Sequence, residues 1–394
     1  MFERATIEQI LRRLLRCGRV AVTYWDGSVH HFVGATGQDM PELEVTIASP
    51  KVIQRLLLNA SLAVGEGYAD GSLQISEEQL PLLFELIARN QPVKPARQMA
   101  RRRLNTKRAQ QGYIESHYNV GNDYYRLFLD AATWAYSCAY FMHPDDTLDM
   151  AQRQKVNHLL RKLRLEPGMR VLEIGCGWGY LAVAAAKEYG VQVLGITLST
   201  EQLKGARALA EREGVSHLVT FELTNYQDLV GERFERIISV GMYEHVGRGN
   251  RDQYFGKIAE LLVPGGVSVL HTITQQVPRP VDAWIDKYIF PGGYLPTLAE
   301  IEEGLAKHGL WSVDRENMWE HYARTLNHWR NAHRKHREEI IRMFDERFYR
   351  TRDFWLAGSE GGFAHGQLGL TQVVFTKGKP GFGTWPLTRE YLYS

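Results

Sequence analysis

Apolar residues fall at helical spacing at the start of this chain. Ile7, Ile10, Leu11, Leu14 and Leu15 share one face of a helix over 6–17. The period then shortens to that of strands. Val20–Trp25 and Val29–Val33 flank Asp26-Gly27 and predict a hairpin. Leu43–Ala48 predicts another strand, and Pro50 opens a second helix at a position where proline is tolerated. GEGYADGSL, Gly65 to Leu73, reads as a glycine-rich loop, with a helix over 77–90 behind it. Together these elements predict a small α+β unit over 1–90.

From about 150 the pattern alternates. A helix over 151–164 leads to strand 169–174, helix 179–189, strand 191–197 and helix 199–213. Strands 219–225 and 235–241, helix 252–262 and strand 266–274 follow. Such alternation predicts an α/β fold with a doubly wound, mostly parallel sheet. An irregular aromatic segment spans 280–298. Residues 326–356 read as helical, polar and basic on one side with Trp329, Ile340, Ile341, Met343 and Phe344 on the other. Strands Trp311–Arg315 and Leu370–Thr376 complete the sheet.

The turn after strand 169–174 carries the sharpest signal. VLEIGCGWGY holds Glu173, then Gly175, Gly177 and Gly179 at alternate positions. Glycine is needed where a side chain would block a ligand from the backbone. A dinucleotide site wants G-x-G-x-x-G, with an acidic residue ending the next strand. Here the spacing is G-x-G-x-G and the next strand ends at Thr197, which disfavours a nicotinamide oxidoreductase. The form resembles motif I of S-adenosylmethionine (SAM) dependent methyltransferases. Ser199 with Gln202 also reads as a capping box, while Thr197 and Gln202 are candidate cofactor ligands.

Composition narrows the classes. The chain has 394 residues, 44% hydrophobic and 23% charged, which fits an ordinary globular protein of two domains. A net charge of +2 gives no argument for nucleic acid. Cys17, Cys138 and Cys176 form no metal spacing, so no metal is expected, and they suit a reducing cytoplasm. The N-terminus does not read as a signal peptide, and no run approaches the roughly 20 apolar residues that span a bilayer. Contact with lipid is therefore expected to be peripheral. Residues 91–114 read as a basic linker, with Lys94, Arg97, Arg101, Arg102, Arg103, Lys107 and Arg108. Such a run is either a solvated linker or a patch that meets anionic phospholipid head groups. Its basic part, 91–110, lacks aromatics to stack on bases.

Five further stretches could carry chemistry, and they bring Cys138, Glu244, His245, His271 and Tyr322. Ligands in open α/β sheets bind beyond the carboxyl ends of the strands, where Glu244 and His271 can meet over the cofactor's methyl group. Each residue also has a plain structural reading. Cys138 can be a small buried hydrophobe, Glu244 a helix cap, His271 a core histidine and Tyr322 packing.

HYNVGNDYY, YSCAYF, VLEIGCGWG, GITLSTEQ, GMYEHVG, YIFPGGYLP, YARTL and LTQVVFTKG together resemble the cyclopropane fatty acid synthase family, over about 115–378. The unit over 1–90 resembles, more weakly, the lipid-binding extension of its phospholipid-acting branch. The resemblance implies a SAM-dependent methyltransferase domain with a helical insertion over 115–394. The substrate would be the cis double bonds of acyl chains in membrane phospholipids, met at an anionic surface on the inner face of the membrane. A homodimer is compatible with it. It also implies a bicarbonate ion as base, held at Cys138, the Gly241 backbone, Glu244, His271, the Ile273 backbone and Tyr322. Cofactor positions would be Tyr136, Ser137, Gly175, Gly177, Thr197, Leu198, Gln202, Tyr226 and Gln227, with Glu173 and Gly179 from the glycine motif. An alkene is a weak nucleophile, so it needs an electrophilic methyl held in line. The cation formed needs aromatic faces, for which Tyr243, Phe290 and Tyr294 are candidates, and then a base. Competing outcomes are a methylene or methyl-branched acyl chain, or a lipid-binding protein without catalysis.

Overall fold

The computed structural model describes residues 2–91 and 121–393. The basic segment 91–114 lies outside the described residues, apart from Gln91. The chain divides into two compact units. One comprises Met1–Pro95, Val281–Pro291 and Ala323–Leu368; the other Ala96–Pro280, Gly292–Tyr322 and Gly369–Ser394. Chain order alone had placed 281–291 and 323–368 with the catalytic part.

In the first unit, β1 (Arg19–Tyr24) pairs antiparallel with β2 (Val29–Val33) and parallel with β3 (Glu42–Ile47). The short β4 (Leu73–Gln74) closes the order β2-β1-β3-β4. GEGYADGSL is not a loop. Helix Ala60–Asp70 runs through Gly65 and Gly67 and stops at Gly71, whose φ of 76° forms a left-handed cap. A Cβ on Gly65 would fall 2.4 Å from the Trp284 ring, and one on Gly67 2.9 Å from Leu73 Cβ. These glycines serve close packing rather than turning. Glycine spacing cannot separate the two uses, since a packed helix tolerates the loss of about 1 kcal/mol per glycine.

The stretch over 326–356 is helical as expected and falls in three helices: Trp319–Lys335, Arg337–Met343 and Glu346–Ala364. The last starts where the Asp345 side chain caps Phe348 N–H. It packs on helices Ala60–Asp70 and Leu80–Asn90, and Gly358 and Gly361 make room for Phe84. A buried polar group lies in this unit. Arg330 Nε is 2.9 Å from Asp353 Oδ1, and the Tyr68 hydroxyl donates to Asp353 Oδ2 at 3.4 Å. The 280–298 segment contains helix Ala283–Tyr288.

The second unit is built on seven strands in the order β10-β11-β9-β8-β5-β6-β7. These are β5 (Arg170–Ile174), β6 (Gln192–Thr197), β7 (Val219–Leu223), β8 (Phe234–Val240), β9 (Leu262–Gln275), β10 (Leu310–Asn317) and β11 (Leu368–Lys377). β5 lies parallel to both β6 and β8, β6 is parallel to β7, and β8 to β9, while β10 and β11 are antiparallel. The doubly wound sheet read from the sequence is therefore present, with the antiparallel β10 and β11 at its edge. Side chains alternate across it. Val171, Val269 and Val374 join a core with helices Leu148–Leu163 and Tyr180–Tyr189. Leu172, Leu270 and Val373 face helix Arg251–Leu261 on the other side. The chain leaves β5 for β6 on one side and returns at β8 on the other. That reversal opens a crevice beyond the carboxyl ends of β5 and β8. No helix among the described residues is long and apolar enough to cross a membrane.

Candidate active site

The crevice is lined by the loops that follow β5, β6 and β8. Gly175, Gly177 and Gly179 all have positive φ, at 84°, 54° and 87°, which L side chains avoid. Their surroundings separate their roles. A Cβ on Gly177 would meet nothing within 4 Å, so that backbone faces open space. A Cβ on Gly179 would fall 2.8 Å from Ala206 Cβ and 2.7 Å from the Phe221 ring, so Gly179 lets helix and sheet pack.

Of the sequence-derived cofactor positions, Tyr136, Ser137, Glu173, Gly175, Gly177, Thr197, Leu198, Gln202 and Tyr226 line this cleft, as does Gly241. Gln227 turns to Gln253, with its Nε2 3.2 Å from Gln253 Oε1. Ser199 caps its helix through Gln202 N–H, but the Gln202 side chain does not return to it: Gln202 Oε1 accepts from the Thr197 hydroxyl at 2.9 Å. The capping box is thus half made, and Gln202 is held at the cleft wall instead.

Sequence reasoning missed Lys155, Trp134 and Trp178, which also line the cleft. Trp134 holds φ at 54°, rare for a bulky residue. Its ring packs edge-on to Trp178, which donates from Nε1 to Asn122 at 3.2 Å. Lys155 is buried and donates to Ser137 Oγ at 3.0 Å. Burial pushes Lys155 down to about 8, and pushes Glu173 up to about 8 against the pull of Lys155. Raising the pH through this range removes a positive charge and adds a negative one, so the cleft gains affinity for a cation. SAM carries a sulfonium charge and S-adenosylhomocysteine does not. The SAM to S-adenosylhomocysteine affinity ratio, measured by calorimetry, should therefore rise from pH 7 to pH 9, and Glu173→Gln should flatten that rise.

The residues expected at the base lie just beyond. Glu244 falls between Met242 and His245, which both line the cleft. Gly241 N–H donates to His271 O at 2.9 Å, and Ile273 N–H donates to Glu244 Oε1 at 2.7 Å. The loop after β8 is thereby stitched to β9, with Glu244 in a short turn of that loop and His271 on the strand. Both N–H groups are engaged by the protein, contrary to the expectation that backbone N–H groups here stand ready for an ion. Two side-chain atoms remain instead. Glu244 Oε2 and His271 Nε2 are buried with no hydrogen-bond partner among the described residues. Burial pushes Glu244 up to about 7 and His271 well below its ordinary value, so the imidazole is neutral. Cys138 is buried, with its Sγ 3.2 Å from Ala139 O. Tyr322 is half-buried in the first turn of its helix, whose start is fastened by the bond from Phe141 N–H to His321 Nδ1 at 3.0 Å.

Two of the proposed aromatic faces are committed elsewhere. Tyr243 packs into the opposite core with Tyr254 and Phe255. The Tyr294 hydroxyl bonds Glu300, and Arg248 and Arg251 lie over its ring.

The fold, the glycine-lined crevice at the strand reversal and the acidic end of β5 define a SAM-dependent methyltransferase. Comparison with known proteins agrees. The mycolic acid cyclopropane synthetase family matches residues 105–373, and a domain family of unknown function matches 6–92. The cyclopropane-fatty-acyl-phospholipid synthase of Escherichia coli is 38% identical over 346 residues, 85% of this chain and 88% of that protein. A probable fatty acid methyltransferase of Pseudomonas putida is 36% identical over 367 residues, covering 90% and 92%. The crystal structure of the mycolic acid cyclopropane synthase CmaA1 complexed with SAH and CTAB superposes with a TM-score of 0.65 at 33% identity, covering 68% of this chain and 98% of that one. The chain belongs to the mycolic acid cyclopropane synthetase family, and it is a SAM-dependent cyclopropane or fatty acid methyltransferase.

Proposed function

We propose that this enzyme is a cyclopropane-fatty-acyl-phospholipid synthase that adds a methylene to cis double bonds of phospholipid acyl chains, with bicarbonate as the general base. The observation that carries this reading is the pair of buried, unpartnered atoms beside the cleft, Glu244 Oε2 and His271 Nε2. A buried polar atom without a partner costs about 1–3 kcal/mol, which a ligand in that place would relieve. One atom accepts and the other can donate, and bicarbonate offers an O–H and an oxyanion to match. Cys138 and Tyr322 complete the set that the family resemblance implies.

Bound in the cleft, SAM supplies an electrophilic methyl group. The chain's own contribution is placement and proton handling. The glycine loop would hold the cofactor against its backbone, with Trp134 and Trp178 lining the same cleft. Glu244 and His271 would hold a small base, whose chemistry would be to accept the proton that ring closure releases. The membrane side of the reading rests on charge. The run 91–114 holds seven Lys and Arg and no Asp or Glu, each basic group contributing on the order of 1 kcal/mol near an anionic surface. The protein is then peripheral to the inner face of the membrane.

The test uses purified enzyme, SAM with a labelled methyl and vesicles of unsaturated anionic phospholipid, with the released acyl chains analysed by mass spectrometry and proton NMR. The expected product gains one CH₂, loses its alkene signal and shows shielded ring protons. The same mass gain with an alkene retained would replace this reading by a methylene-forming methyltransferase. Absence of transfer would point to a different acceptor or to a binding protein.

A further inference from the structure

Helix Leu148–Leu163 turns polar residues inward. Lys155, His158 and Lys162 are each at most 4% exposed, on the face that packs against the sheet. Lys155 belongs to the cofactor cleft. Lys162 leads elsewhere. Its ammonium donates to Gln372 Oε1 at 2.8 Å and to Glu316 Oε2, which also bonds His158 Nε2 at 2.7 Å. Gln372, on β11, is fully buried, and its Nε2 lies 3.1 Å from His271 Nδ1.

These contacts can be ordered by donor and acceptor capacity. An ammonium only donates, so the Gln372 carbonyl oxygen must face Lys162. The amide NH₂ must then face His271, and an NH₂ only donates. His271 Nδ1 is therefore an acceptor without a proton. Burial keeps the ring neutral, and a neutral imidazole carries one N–H. That N–H is left on Nε2, the atom with no partner among the described residues. Glu316 opposes the burial that pushes Lys162 down, which favours the charged, donating form.

We propose that Lys162 and Gln372 are positioning residues that lock His271 as its Nε2–H tautomer, so that the ring presents a fixed donor to the reaction site. What the donor meets rests on the bicarbonate reading; the tautomer does not. With Nε2–H fixed, His271 binds an anion or a lone pair and does not itself take the proton at that atom.

The test is long-range proton–nitrogen NMR of enzyme labelled with ¹⁵N in the histidine rings and saturated with S-adenosylhomocysteine. The His271 signals are assigned by their loss in His271→Asn. The expected spectrum shows Nε2 protonated and Nδ1 bare; a proton on Nδ1 overturns the proposal. Gln372→Met removes the amide at similar volume. It should let both tautomers appear and lower kcat by about 10–100-fold, with SAM affinity unchanged. A single Nε2–H tautomer and full kcat in that variant would show that the relay positions nothing. Turnover independent of bicarbonate in carbonate-depleted buffer would sink the base assignment alone and leave the tautomer result standing.

Discussion

Glu244→Gln should stop methyl transfer while leaving SAM bound and the protein more stable at pH 8. The amide keeps an oxygen for Ile273 N–H but turns the other atom from acceptor to donor, where Glu244 Oε2 is buried without a partner. Loss of a positioned proton-handling group costs about 10²–10⁴-fold in rate. SAM affinity should hold, because Glu244 is not among the residues lining the cofactor cleft. The stability sign follows from linkage. Burial raises the Glu244 carboxyl from 4.5 to about 7. Its contribution is fully present below pH 4.5, is lost as the pH climbs to about 7, and above that a buried carboxylate remains. Glutamine carries no such charge, so the variant should gain up to about 3 kcal/mol at pH 8 and less at pH 5. Single-turnover assays, calorimetry with SAM and urea melts at both pH values check all three. An active variant would remove Glu244 from the site; an inactive one that no longer binds SAM would make its role structural.

The second large effect lies in the first unit. Arg330→Met should destabilise it by about 3–5 kcal/mol, the cost of stranding a buried charge. Asp353 is fully buried, and burial pushes its carboxyl up against the pull of Arg330. The guanidinium also bonds the Glu77 carbonyl oxygen, so one side chain ties helix Trp319–Lys335 to the N-terminal segment. Adding Asp353→Leu to Arg330→Met should recover most of the loss, since an apolar pair often replaces a buried ion pair at no net cost. A single-variant loss below about 1 kcal/mol, the range of surface pairs, would show that water already reaches Asp353.

The sequence showed those parts whose period is local. β5 to β9 and their helices followed from alternation, and the G-x-G-x-G turn pointed to the crevice because glycine at positive φ leaves a chemical trace. Gly65 and Gly67 misled for the same reason, since a packing glycine and a turning glycine look alike until Trp284 and Leu73 are in place. Lys155 and Lys162 were missed although a signal existed. They stand seven residues apart, in phase with Leu159 and Leu163 on the buried face of the helix. A lysine in the apolar phase of a helix calls for a partner: Lys155 finds Ser137 in the loop before the helix, and Lys162 finds Gln372 and Glu316 on strands far along the chain. The membership of 281–291 and 323–368 in the first unit was not legible, because it depends on long-range packing that no local period records.

Gly358 and Gly361 have a practical consequence. A Cβ at either would come within 2.9 or 2.5 Å of Phe84, so helix Glu346–Ala364 is hollowed to the shape of one ring from the N-terminal segment. A chain trimmed to its methyltransferase portion would carry that hollow as a bare apolar trench, inviting aggregation. An engineer who wants the smaller protein must fill the trench with larger side chains at both glycines before removing residues 1–90.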